Sequence, residues 1–416
     1  MLTMKTLKFN IYDEFACTGP ICEDSCCKHW QINLTRREYL DYKKMECSPE
    51  LKSVVDSAFK RLKDGNDQKF AMMVLKEDGS CPFLGEDRLC MLQKEKGESV
   101  LTIVCSSYPR NWFQAGKDAA VFTLTPTCYH VVELLMKHPE GLALTEEEYD
   151  RSNKWINRNL WSGALLRSKS DTYPYIWSIK TAQLDILQNR DFTIAERLLI
   201  LGYYTQKVCD YLKNTPEKIE QLGAMMLDQE LCRRIADSLK TPQTEAEAAA
   251  KAIDILYNMS EGLRSGKKGR TDPHTILLLN RVADDLELGY AKKEEGLNVV
   301  RWNSEKYDRN REMYRKIEEE RPYLIENLLA ITAFSRFSKD GEELWADYFS
   351  LAVLYNFMKI GTAVFLPENY TDTELAMAVT NIVKLMLNAN LAKGLTMQDF
   401  ARNNSNTLPY VAFLIS

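Results

Sequence analysis

The cysteines of this chain are crowded into its first third, and this placement constrains the fold more than any other feature. The sequence has 416 residues and eleven cysteines, and nine of these lie between Cys17 and Cys128. The opening residues, MLTMKTLKFNIYDEF, lack the apolar core and cleavage site of a secretory signal. In a cytoplasmic protein, clustered cysteines indicate metal or redox chemistry rather than disulfides. We therefore expect a metal-binding N-terminal region.

Eight cysteines form the candidate metal-binding set, and their spacing limits the metal they can hold. The first four follow the pattern C-x4-C-x3-C-C, and the full set is Cys17, Cys22, Cys26, Cys27, Cys81, Cys90, Cys105 and Cys128. Thiolates select zinc, copper(I) or iron–sulfur clusters. Structural zinc sites usually present two short knuckles, whereas here only Cys22 and Cys26 approach that spacing. The adjacent side chains of Cys26 and Cys27 cannot easily share one small ion.

These features favour an iron–sulfur cluster over zinc. Two clusters, one cluster with a zinc ion, or one cluster with spectator thiols all satisfy the number of cysteines. The remaining three, Cys47, Cys209 and Cys232, lie in helix-like surroundings and are predicted to be packed thiols. His29 and His130 stand next to cysteines, where they are ligand candidates, but a surface or packed histidine is the favoured interpretation.

The sequence predicts a mainly α protein in two parts. Residues 1–140 form a cysteine-rich, irregular α+β metal-binding domain, and residues 141–416 form a helical domain of about eight to ten helices. Short strands are expected at Phe70–Leu75 and Ala119–Leu124. Helices are expected after Thr35 and after Ser48. In the second part, four capping boxes each predict a helix start: Thr145 with Glu148, Thr193 with Glu196, Thr244 with Glu247, and Thr371 with Glu374.

Charge and hydropathy indicate a soluble protein without nucleic-acid or membrane partners. The net charge of −5 gives no electrostatic reason to bind phosphates. The segment from Tyr348 to Leu366 is long enough to span a bilayer, but Asn356, Lys359 and Gly361 interrupt it. We expect a buried helix that ends near Gly361. The heavily charged segment from Asn303 to Arg321 is expected to be an exposed helix.

Four motifs occur in a recognisable order: CTGPICEDSCCKHW, CPFLGEDRLC, CSSYPR and LTPTC. Together with the helical segments RPYLIENLLAITAF and TDTELAMAVTNIVKLML, they resemble the flagellin lysine-N-methylase family over nearly the whole chain. The resemblance implies an enzyme that methylates lysine ε-amines of flagellin with S-adenosylmethionine and carries a 4Fe–4S cluster. The eight cysteines match the family's cysteine positions. His29 and Tyr129 depart from its usual glycine and proline.

Several residues beside the cysteines are candidates for the chemistry that the resemblance implies. A lysine ammonium must lose its proton before it can be methylated, and Tyr108, Glu23 and Asp24 could favour the neutral amine. Arg110 could bind the carboxylate of the methyl donor or neutralise the charge of the thiolate-rich cluster. Solvated turns explain the acidic residues about equally well, and Arg110 could equally form a structural ion pair.

The sequence contains no independent signature of a methyl-donor site. No G-x-G-x-x-G turn follows a strand, and the C-x3-C-x2-C triad of radical enzymes is absent. The alternative hypothesis is therefore a non-catalytic iron–sulfur or zinc module for electron transfer, in which the helical domain recruits a partner.

Overall fold

A computed structural model describes residues 3–114, 119–150, 170–240, 273–292, 298–387 and 407–415. The chain divides into two compact units. The smaller unit is formed mainly by Ala16–Pro109, and the larger one by Met1–Phe15 and the chain from Arg110 onward. A domain boundary near residue 140 stays a prediction.

The chain up to Asp150 alternates short helices and strands. In chain order these are β1 (Thr3–Phe9), α1 (Ile11–Glu14), β2 (Asn33–Leu34), α2 (Arg36–Lys44), α3 (Pro49–Ser57), β3 (Phe59–Asn66), β4 (Lys69–Met73), α4 (Met91–Lys96), α5 (Ile103–Ser107), β5 (Arg110–Gln114), β6 (Ala119–Leu124), α6 (Tyr129–Leu135) and β7 (Leu144–Asp150).

The later part of the chain is dominated by helices, which confirms the mainly α prediction. Its elements are α7 (Ile176–Leu187), α8 (Ile194–Asn214), α9 (Ile219–Met225), α10 (Gln229–Leu239), α11 (Pro273–Asp285), β8 (Gly289–Lys292), β9 (Asn298–Arg301), α12 (Ser304–Glu320), α13 (Pro322–Phe334), α14 (Gly341–Gly361), α15 (Asp372–Leu387) and α16 (Leu408–Ile415).

The smaller unit is built on an antiparallel sheet with strand order β2-β4-β3. Helices α2 and α3 begin where the sequence predicts. The Thr35 side chain caps α2 in a complete capping box, and Ser48 caps α3 ahead of Pro49. The core is small and mainly aliphatic, and the rings of Tyr42 and Phe59 stack within it with 5.0 Å between centroids.

The larger unit combines a four-stranded sheet with the helices. The sheet has the order β5-β6-β1-β7, in which β1 runs parallel to β6 and antiparallel to β7. The predicted helix start at Thr145 and Glu148 is wrong, because this segment lies within β7. Its backbone pairs with β1 from Leu144 opposite Phe9 to Asp150 opposite Thr3, and these long-range hydrogen bonds override the local capping signal.

Two other capping boxes of the helical part are confirmed. Thr193 caps α8 and exchanges hydrogen bonds with Glu196, and Thr371 does the same with Glu374 before α15. The fourth predicted box, at Thr244, lies outside the described residues.

Helix α14 is central to the core of the larger unit. It ends at Gly361, as predicted. The stretch Gly341–Phe365 passes the length and composition test for a membrane span, but 83% of its most apolar window is buried inside the protein. This is the burial expected of a core helix.

The charged segment before Arg321 forms helix α12, as predicted, but it is not simply an exposed helix. Tyr307, Asn310, Tyr314 and Ile317 are buried along one face. The Tyr314 ring lies edge-on to that of Tyr355 on α14, with 6.2 Å between centroids.

Candidate metal centre

Two loops of the smaller unit bring Cys27 next to Cys81. The Cys81 amide donates a hydrogen bond to the Cys27 carbonyl oxygen over 2.7 Å, and the neighbouring residues Lys28 and Ser80 form an isolated antiparallel bridge. The turn just before Ser80 requires Gly79, which has a φ of +77°. A Cβ at this position would lie 2.3 Å from the His29 ring. The Asp-Gly turn visible in the sequence is therefore what allows these two cysteine segments to pair.

A second turn brings Cys90 back toward the segment that begins at Cys81. Leu84 and Cys90 form an antiparallel bridge, and the Met91 amide donates to the Phe83 carbonyl over 2.8 Å. Cys90 stands immediately before α4, where the free backbone N–H groups of a helix start favour a negative charge. The amides of Leu92 and Gln93 act on the Cys90 thiol in this way, although burial outweighs them and its pKa is raised.

Helix α5 carries Cys105 and is held in place by α2. Thr102 caps α5 through the Cys105 amide, and the Ile103 amide donates to Glu38 Oε1 over 2.7 Å. The other carboxylate oxygen of Glu38 closes the capping box with Thr35. The sequence predicts this capping box, but it carries no signal for the bond to Ile103, which lies far along the chain from Glu38.

The thiols of Cys27, Cys81, Cys90 and Cys105 lie within electrostatic reach of one another. The pKa of Cys81 is raised to about 12, mainly by burial and in smaller part by the charges of Cys27, Cys105 and Cys90. Desolvation likewise raises the pKa of Cys105 to about 11, against a hydrogen bond from Thr102, although much of this side chain is exposed. The raised pKa values of Cys81, Cys90 and Cys105 mean that these three thiols need a nearby cation to become thiolates at neutral pH.

The vicinal pair behaves differently from the other thiols. Cys26 donates a hydrogen bond to Cys27, which lowers the pKa of Cys27 to about 7 despite burial. The same bond raises the pKa of Cys26. Cys17 lies within electrostatic reach of both Cys22 and Cys26. The structure thus brings seven of the eight predicted cysteines into one unit.

The eighth cysteine, Cys128, belongs to the larger unit, where it directly precedes α6. Its part in the metal site stays a prediction. Across the described ranges, no three His, Cys, Asp or Glu side chains already stand in metal-binding geometry. The donor set nevertheless fits a soft metal centre, because thiols from separate segments converge and a metal cation would offset their repulsion.

The tentative catalytic residues near the cysteines are placed as follows. Glu23 is exposed and Asp24 is half-buried, with Asp24 acting on the neighbouring Cys22 thiol. The Tyr108 ring lies edge-on to Trp30 at 4.6 Å. These roles stay predictions.

Arg110, the predicted donor-binding residue, lies in the larger unit at the start of β5. Its guanidinium donates to the Phe15 carbonyl oxygen over 2.8 Å and lies 4.8 Å from the centroid of the Phe15 ring. These contacts give Arg110 a structural role, and donor binding by it stays a prediction.

Two of the three remaining cysteines are packed in the helical part. Cys232 is buried, and the Cys209 thiol donates to the Gly341 carbonyl oxygen over 3.1 Å. Cys47 is half-buried against the core of the smaller unit. His130 is bonded through Nδ1 to Glu133 over 2.9 Å.

Comparison with known proteins identifies relatives for this chain. The family model described as the FliB lysine N-methylase C-terminal domain matches residues 181–414. The chain is 32% identical over 136 residues to the lysine-N-methylases of Salmonella typhimurium strain LT2 and Salmonella choleraesuis strain SC-B67, which covers 32% of this chain and 33% of each relative.

A third relative is covered more fully. The flagellar biosynthetic protein FliU of Salmonella muenchen is 32% identical over 137 residues, a match that spans 32% of this chain and 78% of FliU. The chain therefore spans about a third of the two lysine-N-methylases that it matches and most of FliU. No solved structure matches.

Proposed function

Because the chain belongs to the FliB lysine N-methylase family, we propose that it is a cytoplasmic lysine N-methyltransferase that acts on a flagellin-like protein. The match to the family's C-terminal domain over residues 181–414 carries this proposal. The names of the Salmonella relatives support both lysine methylation and a flagellar substrate. The methyl donor would be S-adenosylmethionine, whose sulfonium presents an electron-poor methyl carbon to an amine.

The same proposal includes a metal centre in the smaller unit. Cys27, Cys81, Cys90 and Cys105 would hold a 4Fe–4S cluster, since they come from separate segments and act electrostatically on one another. When bound, the cluster would supply a redox-active centre with thiolate ligands. The chain's own part is to hold these thiols: Gly79 permits the approach of Cys27 to Cys81, and Glu38 fixes the helix that carries Cys105.

Metal analysis tests the cluster. Iron, zinc and acid-labile sulfide would be measured per chain after anaerobic purification. About four irons with equal sulfide are expected. About one zinc without sulfide would replace the cluster by a structural zinc site.

Methyl transfer tests the activity. Metal-loaded protein would be incubated with flagellin and S-adenosylmethionine carrying a labelled methyl group, and the labelled residues located by mass spectrometry. We expect label on lysine side chains with the wild type and with Cys47→Ser, whose thiol lies outside the candidate set, and loss of label with Cys81→Ser. Absence of transfer by the metal-loaded wild type contradicts the proposal.

The second candidate is the non-catalytic metal module. It is supported by the cysteine-rich segment forming a compact unit of its own. A methyltransferase must bind S-adenosylmethionine saturably, whereas such a module need not. Titration of the metal-loaded protein with the donor, followed by calorimetry, therefore separates the two.

A further inference from the structure

A lysine methyltransferase needs a group that accepts the proton of the substrate ammonium, because an ammonium has no lone pair to attack a methyl carbon. The stretch that matches the family's C-terminal domain contains a half-buried carboxylate, which is a group that can accept this proton. It belongs to Glu318, near the end of α12.

Two buried tyrosines hold one oxygen of this carboxylate. Glu318 Oε1 accepts hydrogen bonds from Tyr355 over 3.2 Å and from Tyr314 over 3.4 Å. Both rings are almost completely buried, so their hydroxyl groups have little freedom and fix the carboxylate. Both of these bonds are made to Oε1, and the second oxygen, Oε2, is the one through which the carboxylate could meet a substrate.

The surroundings of Glu318 already hold a lysine ammonium. Lys359, one turn after Tyr355 on α14, places its Nζ 5.3 Å from the centroid of the Tyr355 ring and donates to the Ile415 carbonyl oxygen over 2.9 Å. The Lys359 charge acts on the Glu318 carboxylate. An aromatic face beside a carboxylate is a setting that attracts ammonium groups, and a substrate lysine has the same chemistry.

Burial also increases the basicity of this carboxylate, which favours proton transfer from the substrate ammonium. It raises the pKa of Glu318, against the hydrogen bonds from the two tyrosines and the positive charges of Lys359 and Arg197. Among the described residues, these four are titratable or charged groups that act on the carboxylate. A carboxylate of higher pKa is a stronger base toward an ammonium.

We propose that Glu318 is the general base of the reaction and that Tyr314 and Tyr355 are its positioning residues. This inference rests on the proposed lysine methylation. Glu318 Oε2 takes a proton from the substrate ε-ammonium, and the electron pair of that N–H bond stays on nitrogen. The neutral amine then attacks the methyl carbon of the sulfonium donor. A C–N bond forms and the C–S bond breaks, with its electron pair left on sulfur, so that the products are a methylated ammonium and a thioether.

The test compares Glu318→Gln with Glu319→Gln. Glu319 is the next residue on the helix and is exposed beside Arg315, which makes it a matched control. At pH 7 we expect kcat for methyl transfer to fall by about a hundredfold or more in Glu318→Gln and to be unchanged in Glu319→Gln. Donor affinity and the thermal midpoint are expected to stay at the wild-type values in both.

The pH profile separates a base from a merely structural residue. A lysine ammonium loses its own proton at about pH 10.4, so the ratio of wild-type to Glu318→Gln rates should shrink steadily between pH 7 and pH 10. A constant ratio over that range would assign Glu318 a structural role and overturn the inference, as would a wild-type kcat in Glu318→Gln.

Substitution of Tyr355 tests its role as a positioning residue. Tyr355→Phe removes one hydrogen bond to a charged group and should lower kcat about tenfold, less than the loss of the base itself. If the wild type methylates lysine and Glu318→Gln does so equally well, only this inference fails. If the wild type transfers no methyl group, the proposed function fails and this inference with it.

Discussion

The two compact units of this chain are stabilised in different ways. In the larger unit, seventy buried apolar side chains form one core cluster among the described residues, whereas the corresponding cluster of the smaller unit has eleven. The smaller unit spends much of its chain on turns and on helices of five to nine residues. A unit with so little apolar burial depends on other contacts for its stability.

Those other contacts converge on the cysteines. The turn at Gly79, the bridge at Cys90 and the hydrogen bond that the Ile103 amide donates to Glu38 each position a thiol. The smaller unit is thus organised around its thiols and the larger one around its apolar core. A metal would stabilise the first unit directly and leave the second little changed.

Removal of the metal should have the largest effect, because it should unfold the smaller unit and leave the larger unit folded. Structural zinc in small domains contributes about 10–16 kcal/mol at neutral pH, and this binding energy is also folding energy. We expect chelation, or Cys81→Ser with Cys90→Ser, to abolish amide-exchange protection in residues 16–109 while α8, α13 and α14 keep theirs. Hydrogen exchange with mass spectrometry measures both units in one sample.

The control for that experiment is Cys47→Ser, which removes a thiol outside the candidate set. It should leave the exchange pattern unchanged. Equal protection of residues 16–109 with and without metal would show that the apolar core of the smaller unit suffices.

A buried ion pair tests the larger unit. Glu326 is 2% exposed and binds Arg197, which is 6% exposed, over 2.8 Å. Glu326→Gln leaves a buried guanidinium without its counter-charge and should lower the free energy of unfolding by about 3–5 kcal/mol. Urea unfolding followed by circular dichroism measures this change.

The matched control is Glu312→Gln, which removes an exposed ion pair with Arg315 on the surface of α12. It should cost about 1 kcal/mol or less. Equal losses in the free energy of unfolding would show that burial does not increase the contribution of the ion pair between Glu326 and Arg197.

Glu38 tests the smaller unit on a finer scale. Glu38→Gln weakens the capping box with Thr35 and the bond to Ile103, at a cost of about 1–2 kcal/mol. We expect faster amide exchange in residues 103–107 and less iron bound per chain. Glu46→Gln, at an exposed position in the loop after α2, should change neither, and an equal effect of both variants would deny Glu38 its role.

How much of this could be predicted from the sequence depends on the range of the contacts. The capping boxes at Thr35, Thr193 and Thr371 need only residues three apart, and the structure contains all three. The box at Thr145 fails because its whole segment, Leu144–Asp150, pairs with the strand β1 at the other end of the N-terminal region. A short sequence pattern predicts only the contacts between nearby residues, and it cannot predict pairing with a strand that is distant along the chain.

The candidate sites show the same limit. The spacing of the cysteines predicts a donor set, but the hydrogen bond that the Ile103 amide donates to Glu38 could not be predicted, because nothing in the sequence pairs the two residues. Glu318 lies in the charged segment from Asn303 to Arg321, for which the sequence predicts an exposed helix. The only available signal was Tyr314 four residues before it, on the same helical face.

The smallest expected effect concerns His138 in the larger unit, whose ring lies between Glu14, 3.0 Å from Nε2, and Glu140, 2.9 Å from Nδ1. Burial opposes protonation, but the hydrogen bonds and charges of Glu140 and Glu14 outweigh it and raise the pKa of His138 above its ordinary value of 6.5. The protonated ring therefore stabilises the fold fully below pH 6.5, and this contribution is lost as the pH rises through the higher folded pKa. Both carboxylates are substantially exposed, so the loss should stay below about 1 kcal/mol.

Urea unfolding between pH 6 and pH 8 should show this decline in the wild type and a flatter profile in His138→Gln. Identical profiles would mean that His138 does not link pH to the stability of the larger unit.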